Sequence, residues 1–369
     1  MLKGESNMNL EQNQIKKVKI KGFRSIREQE IEFGKVNVLI GKSNSGKSNL
    51  LMAFALLEKV LNGRLKKYSI LQGPDAFLRG GQAKTQSLSL EFVFGNDCAY
   101  GFELAQAPDD SLLIQKEYIS GGAVQQVIST GPSEESNLKD TPGELAAQIR
   151  GILFGQSWYP YHFSDSSMRA LPTAIAHTVE SRNLLSDGMN LGEFLFRMKR
   201  DHPEEYMMIV FIIQQVDRIF GDFCIEPDET GQEWLQLQWK ERDSDKPLGA
   251  ALLSSNMLRV ACLAALLMQP DELKPPTIII DEPELGLGFC ALGLVVEMLR
   301  KASHSSQIIL ATQSADLLDG FEPEEVLVAN MDRQFRETTF TRQKEKNLKP
   351  WLEDDCCLGD LWKRGILNL

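Results

Sequence analysis

No two cysteines stand at CxxC spacing in this chain, although six are present, at positions 98, 224, 262, 290, 356 and 357. That absence removes the commonest zinc and dithiol motifs. Cys262 and Cys290 lie in apolar runs and read as small core hydrophobes. Nothing near the Cys356-Cys357 pair completes a metal site, and the overall usage fits a reducing compartment. Apolar runs stop well short of the ~20 residues that a membrane span needs. The opening "MLKGESNMNLEQNQ" lacks the apolar core of a signal peptide, so the expectation is a cytoplasmic protein without membrane contact. An excess of positive charge is also missing: 40 basic against 51 acidic side chains leave a net charge of −11. That balance argues against a permanently engaged nucleic-acid binder, which normally carries a basic face. The strip "IKKVKIKGFRSIR" (15–27) is a local exception, whose plainer reading is a solvated edge strand guarded by lysines. There is no internal repeat, and no heptad run long enough for a coiled-coil arm.

The chain does have 43% hydrophobic and 25% charged residues, the composition of a globular protein with a real core. Residues 15–40 read as two strands around a turn, the second ending in the apolar run Val36 to Ile40 of a buried central strand. A helix is predicted from Lys47 through "KSNLLMAFALLEKVL", followed by a strand meander at 87–94, 99–105 and 112–119. The Gly-, Ser- and Pro-rich stretch from about 120 to 145 reads as loop or linker. Helical patterning follows in "GELAAQIRGILF", "NLGEFLFRMKRD" and "PEEYMMIVFIIQQVDRIF", the last opening on a proline suited to a first helical turn. A hairpin, "FCIEPDETGQEWLQLQWK", closes that region, and helix and strand alternate again from residue 250.

Two stretches carry chemistry. Gly41-Lys42-Ser43-Asn44-Ser45-Gly46-Lys47-Ser48 fits the P-loop pattern, between an apolar strand and an amphipathic helix. In such a loop successive backbone N–H groups and a helix N-terminus point at phosphates. Lys47 would reach the β- and γ-phosphates, and the Ser48 hydroxyl would hold Mg²⁺. Gly41, Asn44, Ser45, Gly46 and Asn49 complete the candidate nucleotide-binding set. The second stretch, "PPTIIIDEPELGLGF" (275–289), is a strand-forming run that ends in Asp281 and Glu282. A buried strand delivering two carboxylates at its end is how a Walker B motif is built. Asp281 would support the metal, and Glu282 would polarise the attacking water or accept its proton.

"IKGFRSI…VNVLIGKSNSGKSNLL", "LLSSNMLRVACLAALLM", "IIIDEPELGLGF" and "IILATQSADLLDGF" come in an order that resembles the ABC-type ATPases of the SMC/RecF-like class. Within that class the chain is most similar to compact bacterial ATPases of the AAA family, over nearly its whole length. The resemblance implies an α/β P-loop NTPase fold with a discontinuous core: lobes at 15–120 and 250–345, a mainly helical insertion with a hairpin at 140–245, and a C-terminal cap at 346–369. It implies ATP and Mg²⁺ as cofactors, ATP hydrolysis as the activity, and a homodimer that sandwiches two ATPs. In such a dimer Ser254, in the signature "LSSNMLR", touches the partner's γ-phosphate, and Gln313 stands where a γ-phosphate-sensing histidine is usual. Relatives work in DNA repair or in bacterial defence against phages, which sets only a prior.

The departures from the pattern matter. Asn256 replaces the signature glycine, Ser43-Asn44 replaces Asn-Gly, Gly288 replaces a histidine, and Gln313 can donate a hydrogen bond but carry no charge. If position 44 needs a positive φ, asparagine is the residue best able to supply it. Nucleotide binding is expected to survive and hydrolysis to be slow, since losing one transition-state donor costs on the order of 10²–10³ in rate. A triggered switch acting on a separate effector and an ordinary ATPase with tolerated substitutions both fit. A DNA-engaging repair ATPase and an ATP-bound scaffold are the rival readings. "YPYHFSD" (159–165) reads as packing beside the core, and Glu353, Asp354 and Asp355 as a solvated face of the cap.

Overall fold

The computed structural model describes residues 12–171, 175–177, 182–225, 234–352 and 356–368. The chain divides into two compact units: Met1–Pro160, Pro275–Asp281 and Ser306–Leu369 in the first, Tyr161–Lys274 and Glu282–Ser305 in the second. The first unit opens with β1 (Ile15–Phe23), β2 (Ile26–Glu32), β3 (Val36–Ile40), α1 (Lys47–Leu61) and α2 (Leu65–Gln72). It continues with β4 (Ser87–Phe94), β5 (Cys98–Gln106), β6 (Leu112–Gly121), β7 (Val124–Ser133) and α3 (Glu144–Leu153). The second unit holds α4 (Asp165–Ala170), α5 (Leu191–Asp201), α6 (Pro203–Val216), β8 (Phe220–Cys224), β9 (Gln238–Glu241) and α7 (Ser255–Met268). The chain returns to the first unit for β10 (Thr277–Asp281), to the second for α8 (Phe289–Ala302), then to the first for β11 (Gln307–Thr312). There it ends in α9 (Ala315–Leu318), β12 (Val326–Asp332), β13 (Glu337–Arg342), α10 (Glu345–Leu352) and α11 (Leu358–Lys363).

Two sheets build the first unit. One is five-stranded, in the order β10-β11-β3-β12-β13, parallel except for the last pair. β3 is buried along its whole length, as a strand covered on both faces should be. Its one polar residue, Asn37, is fully satisfied: its amide donates to the carbonyls of Gly34 (2.8 Å) and Ile308 (3.1 Å) and accepts from Gly34 N (2.8 Å). The chain breaks at residues 33–35, where Gly34 is bonded to the Asn37 side chain, so 15–40 holds three strands where two were expected. The other sheet is antiparallel and six-stranded, in the order β2-β1-β4-β5-β6-β7. β1 is therefore internal, correcting the edge-strand reading. Three of its four lysines are paired: Lys17 with Glu30 at 2.9 Å, Lys19 with Glu91 at 2.7 Å, Lys21 with Glu28 at 3.5 Å. β7 corrects the loop expected near 120–145. Its half-exposed, mostly polar residues form a strand only because β6 supplies a ladder of backbone partners.

α1 shares one core with both sheets, Phe54 packing between Phe33 and Phe92 at ring distances of 6.1 and 5.6 Å. A helix so nearly apolar on all sides is stable only when enclosed, and that enclosure fixes its first turn in place.

In the second unit α7 is buried from Met257 to Met268, with α6 and α8 packed on it. Pro203 sits in the first turn of α6, as its sequence position predicts. β8 pairs antiparallel with β9, whereas Trp234–Gln236, within the stretch expected to form a hairpin, pairs with Ile175–His177. Within "YPYHFSD", Tyr161 and Phe163 are buried against each other, their ring centroids 6.3 Å apart. Cys98 and Cys262 are buried; burial pushes both thiols up. The expectations for the Cys290 side chain and for Glu353, Asp354 and Asp355 fall outside the described residues. Among the described residues no helix is long and apolar enough to cross a membrane, and no cluster of three metal-ligating side chains occurs.

Candidate functional site

The C-terminal edge of the parallel sheet gathers the sequence-predicted residues of the first unit. Gly41 follows Ile40 at the end of β3, Gln313 follows Thr312 at the end of β11, and Asp281 ends β10. Ile40 is in register with Thr312, and Asp281 with Ala311. Strand spacing then puts the Asp281 backbone roughly 10 Å from that of Ile40 across the edge. Ligands of open α/β sheets collect at such an edge, where neighbouring strands leave their loops.

The loop itself is built around two glycines with no room for a side chain. A Cβ on Gly41 would fall 2.8 Å from the Ala329 carbonyl, and one on Gly46 would press on Thr338. Gly46 also has φ 100°, a value that L side chains resist. Asn44 has φ 62°, so the substituted position does need the left-handed conformation, and asparagine supplies it. α1 begins at Lys47 with no side-chain cap and no acidic residue in its first turn. Its leading N–H groups are thus left for an external anion. Lys47 is buried, its ammonium donating to the carbonyls of Gly41 (2.7 Å) and Lys42 (3.3 Å). Ser45 Oγ is buried without a partner, and Ser48 is exposed. An orphaned hydroxyl, an uncapped helix and a buried ammonium fit a polyphosphate, and Ser48 with Asp281 supplies oxygen donors of the kind Mg²⁺ takes.

Asn49 stands half-buried behind this loop and bridges to the Arg24-Ser25 turn, whose residues were given no role from sequence. Its Oδ1 accepts from Arg24 Nη1 (3.1 Å) and its Nδ2 donates to Ser25 Oγ (2.6 Å). Ser25 Oγ lies 2.6 Å from Thr338 Oγ1, which reaches the Ser45 carbonyl at 3.1 Å. The protons run one way along this chain: Asn49 to Ser25, Ser25 to Thr338, Thr338 to the P-loop carbonyl. Arg24 itself has φ 51° and donates through Nε to the Ala76 carbonyl (3.1 Å). Desolvation holds its guanidinium below the usual arginine range. The signal for Arg24 and Ser25 was the "GFRSI" segment; Thr338, fully buried and 313 residues from Ser25, has none.

The remaining candidates lie in the second unit. Glu282 directly follows Asp281 and has φ 51°, an unfavourable conformation for a non-glycine residue, held where its carbonyl accepts from Leu285 N (3.1 Å). Ser254 is exposed at the start of α7 and caps it, its Oγ accepting from Met257 N at 3.2 Å. Asn256, the departure from the signature glycine, has a structural partner: its Oδ1 accepts from Arg259 Nη1 at 2.9 Å. Arg259 is buried, donates through Nε to the Phe163 carbonyl (2.8 Å) and pairs with Asp165. Gly286, with φ 71°, closes over this pair; a Cβ there would stand 2.5 Å from Asn256 Oδ1 and 2.6 Å from Arg259 Nη1.

No curated protein sequence matches the chain. Among solved structures it is similar to an Smc head bound to the C-winged helix domain of ScpA, with a TM-score of 0.62 at 13% identity, covering 91% of this chain and 99% of that one. It is also similar to the Smc head with an extended coiled coil bound to the C-terminal domain of ScpA from Pyrococcus furiosus (TM-score 0.58, 13% identity, 93% and 99% covered). At that identity the likeness shows the fold, that of an SMC head. The family described as "AAA domain, putative AbiEii toxin, Type IV TA system" matches residues 36–319, a span that holds the P-loop, Ser254, Asp281, Glu282 and Gln313, and the chain belongs to that family.

Proposed function

We propose that the chain is a slow ATPase that dimerises around two ATPs and acts as a switch on a separate partner in the cytoplasm. The observation that carries this reading is the convergence of Gly41–Asn49, Asp281 and Gln313 on one edge of the parallel sheet. In this reading the P-loop N–H groups and Lys47 grip the phosphates, and Glu282 takes the proton of the attacking water. Mg²⁺, held by Ser48 and Asp281, would neutralise charge on the β- and γ-phosphate oxygens. Gln313 orients the water or the γ-phosphate by a neutral hydrogen bond, which supports slow rather than fast turnover. Ser254, exposed on the start of α7, is the group offered to the other subunit's nucleotide. The ScpA domains bound to the similar Smc heads are a precedent for a partner protein. Defence against phages is the setting that the family resemblance favours.

The test is phosphate release by wild type and Glu282→Gln, with mass by light scattering in ATP and Mg²⁺. Turnover by wild type, and a dimer trapped without turnover by the variant, supports the reading. A protein that binds ATP yet neither releases phosphate nor changes mass is instead a nucleotide-stabilised scaffold.

A further inference from the structure

The cavity beside the P-loop, about 1310 Å³, exceeds the ~300–1,000 Å³ that encloses one small ligand. Its lining falls into two sets. Arg24, Asn44 and Asn49 belong to the nucleotide region. The second set comes from the turns at 79–85 and from the β12–β13 turn: Arg79, Lys84, Arg333, Phe335 and Arg336. Arg79 ties the two turns together, donating to the Phe335 carbonyl (3.1 Å) and pairing with Glu337 (3.4 Å). Lys84, Arg333 and Arg336 are exposed and make no ion pair among the described residues. Asp75 is the one carboxylate in the lining, and its Oδ1 already accepts from Gln82 N (2.8 Å). A wall of unpaired cations on a chain of net charge −11 is a local reversal of sign.

The β12–β13 turn is fixed while its ring is not packed. Phe335 N donates to Asp332 Oδ1 (3.1 Å), its carbonyl is held by Arg79, and its side chain is 63% exposed. A single exposed phenylalanine is ordinary. One flanked by two unpaired arginines in a concave wall offers a stacking face with phosphate-binding guanidiniums beside it. The base end of a nucleoside triphosphate is uncharged and would not by itself call for these cations. We propose that this wall binds single-stranded nucleic acid, with phosphates on Lys84, Arg333 and Arg336 and a base stacked on Phe335. The proposal uses no residue of the P-loop and does not depend on ATP hydrolysis.

Fluorescence anisotropy of a labelled oligo-dT strand with the full chain tests it. Three phosphate contacts predict that affinity falls about tenfold to twentyfold between roughly 50 and 200 mM salt. Phe335→Ala should weaken the strand about 5- to 100-fold and leave competition by inorganic tripolyphosphate unchanged. Arg333→Glu and Lys84→Glu should weaken both ligands. Lys84 lies on a different turn from the other two, so its variant stands if a hairpin variant misfolds, and fluorescent-ATP binding reports the fold of each. The proposal is overturned by no binding of the strand, by equal affinity for duplex, or by indifference to Phe335→Ala. That last result, with charge variants still weakened, would mark a site for free polyphosphate.

Discussion

The first turns of α1 and α7 are the same element treated in opposite ways. Both helices are buried over most of their length, so each first turn is held firmly by the core behind it. α1 starts on Gly46 with no side-chain cap, whereas α7 is capped by its own Ser254 hydroxyl. An uncapped start leaves several N–H donors for a ligand; a capped start offers chiefly the hydroxyl of the cap. In the proposed dimer this difference would give grip to the P-loop and contact to the signature segment. Asn256, where the chain departs from the family pattern, is occupied with Arg259 in the second unit.

The largest effect should come from Lys47→Ala, which removes a buried ammonium from the gripping turn. Titration with fluorescent ATP should show at least a hundredfold loss of affinity, the scale of a lost charge-assisted interaction of about 3 kcal/mol. An affinity within tenfold of wild type would place the grip elsewhere.

Arg259→Ala comes next. It leaves Asn256 and the Phe163 carbonyl without their donor, and urea unfolding should show a loss of about 2–5 kcal/mol in the second unit. ATP affinity of the monomer should change little, because the gripping turn lies in the first unit.

Ser254→Ala should cost about 1 kcal/mol of stability as a lost cap. It should abolish ATP-driven dimerisation while monomer binding stays within threefold, which separates contact from grip in one protein. The smallest effect is expected from Asn44→Gly, which keeps the left-handed backbone and should alter ATP affinity by less than threefold. Asn44→Val, which strains that conformation by about 1–2 kcal/mol, should weaken it about tenfold.

Much of the gripping half is legible from sequence because its parts are contiguous. Val36–Ile40, the glycine loop and α1 lie in one stretch of chain, and their apolar spacing changes period where strand gives way to helix. Asp281 is legible because a short apolar run precedes it, and Gln313 because the family resemblance marks the position after the last core strand. The support behind the loop is not. Thr338 sits in "ETTFTR", an unremarkable strand, and it meets Ser25 and the Ser45 carbonyl only through the fold. β7 escaped notice for a different reason: an edge strand with few apolar residues carries no alternation to read. The partner of Asn256 was hidden too, since the arginine three residues on reads equally well as a solvated side chain.

The central claim is that one chain holds two incomplete halves, a gripping turn and a contacting one, completed only by a second copy. Lys47→Ala and Ser254→Ala, each inactive alone, should regain phosphate release when mixed. Since neither variant dimerises with itself, every dimer in an equimolar mixture is mixed and holds one intact composite site of two, a ceiling of about half the wild-type rate. No activity in the mixture, or full activity of Ser254→Ala by itself, would contradict the account.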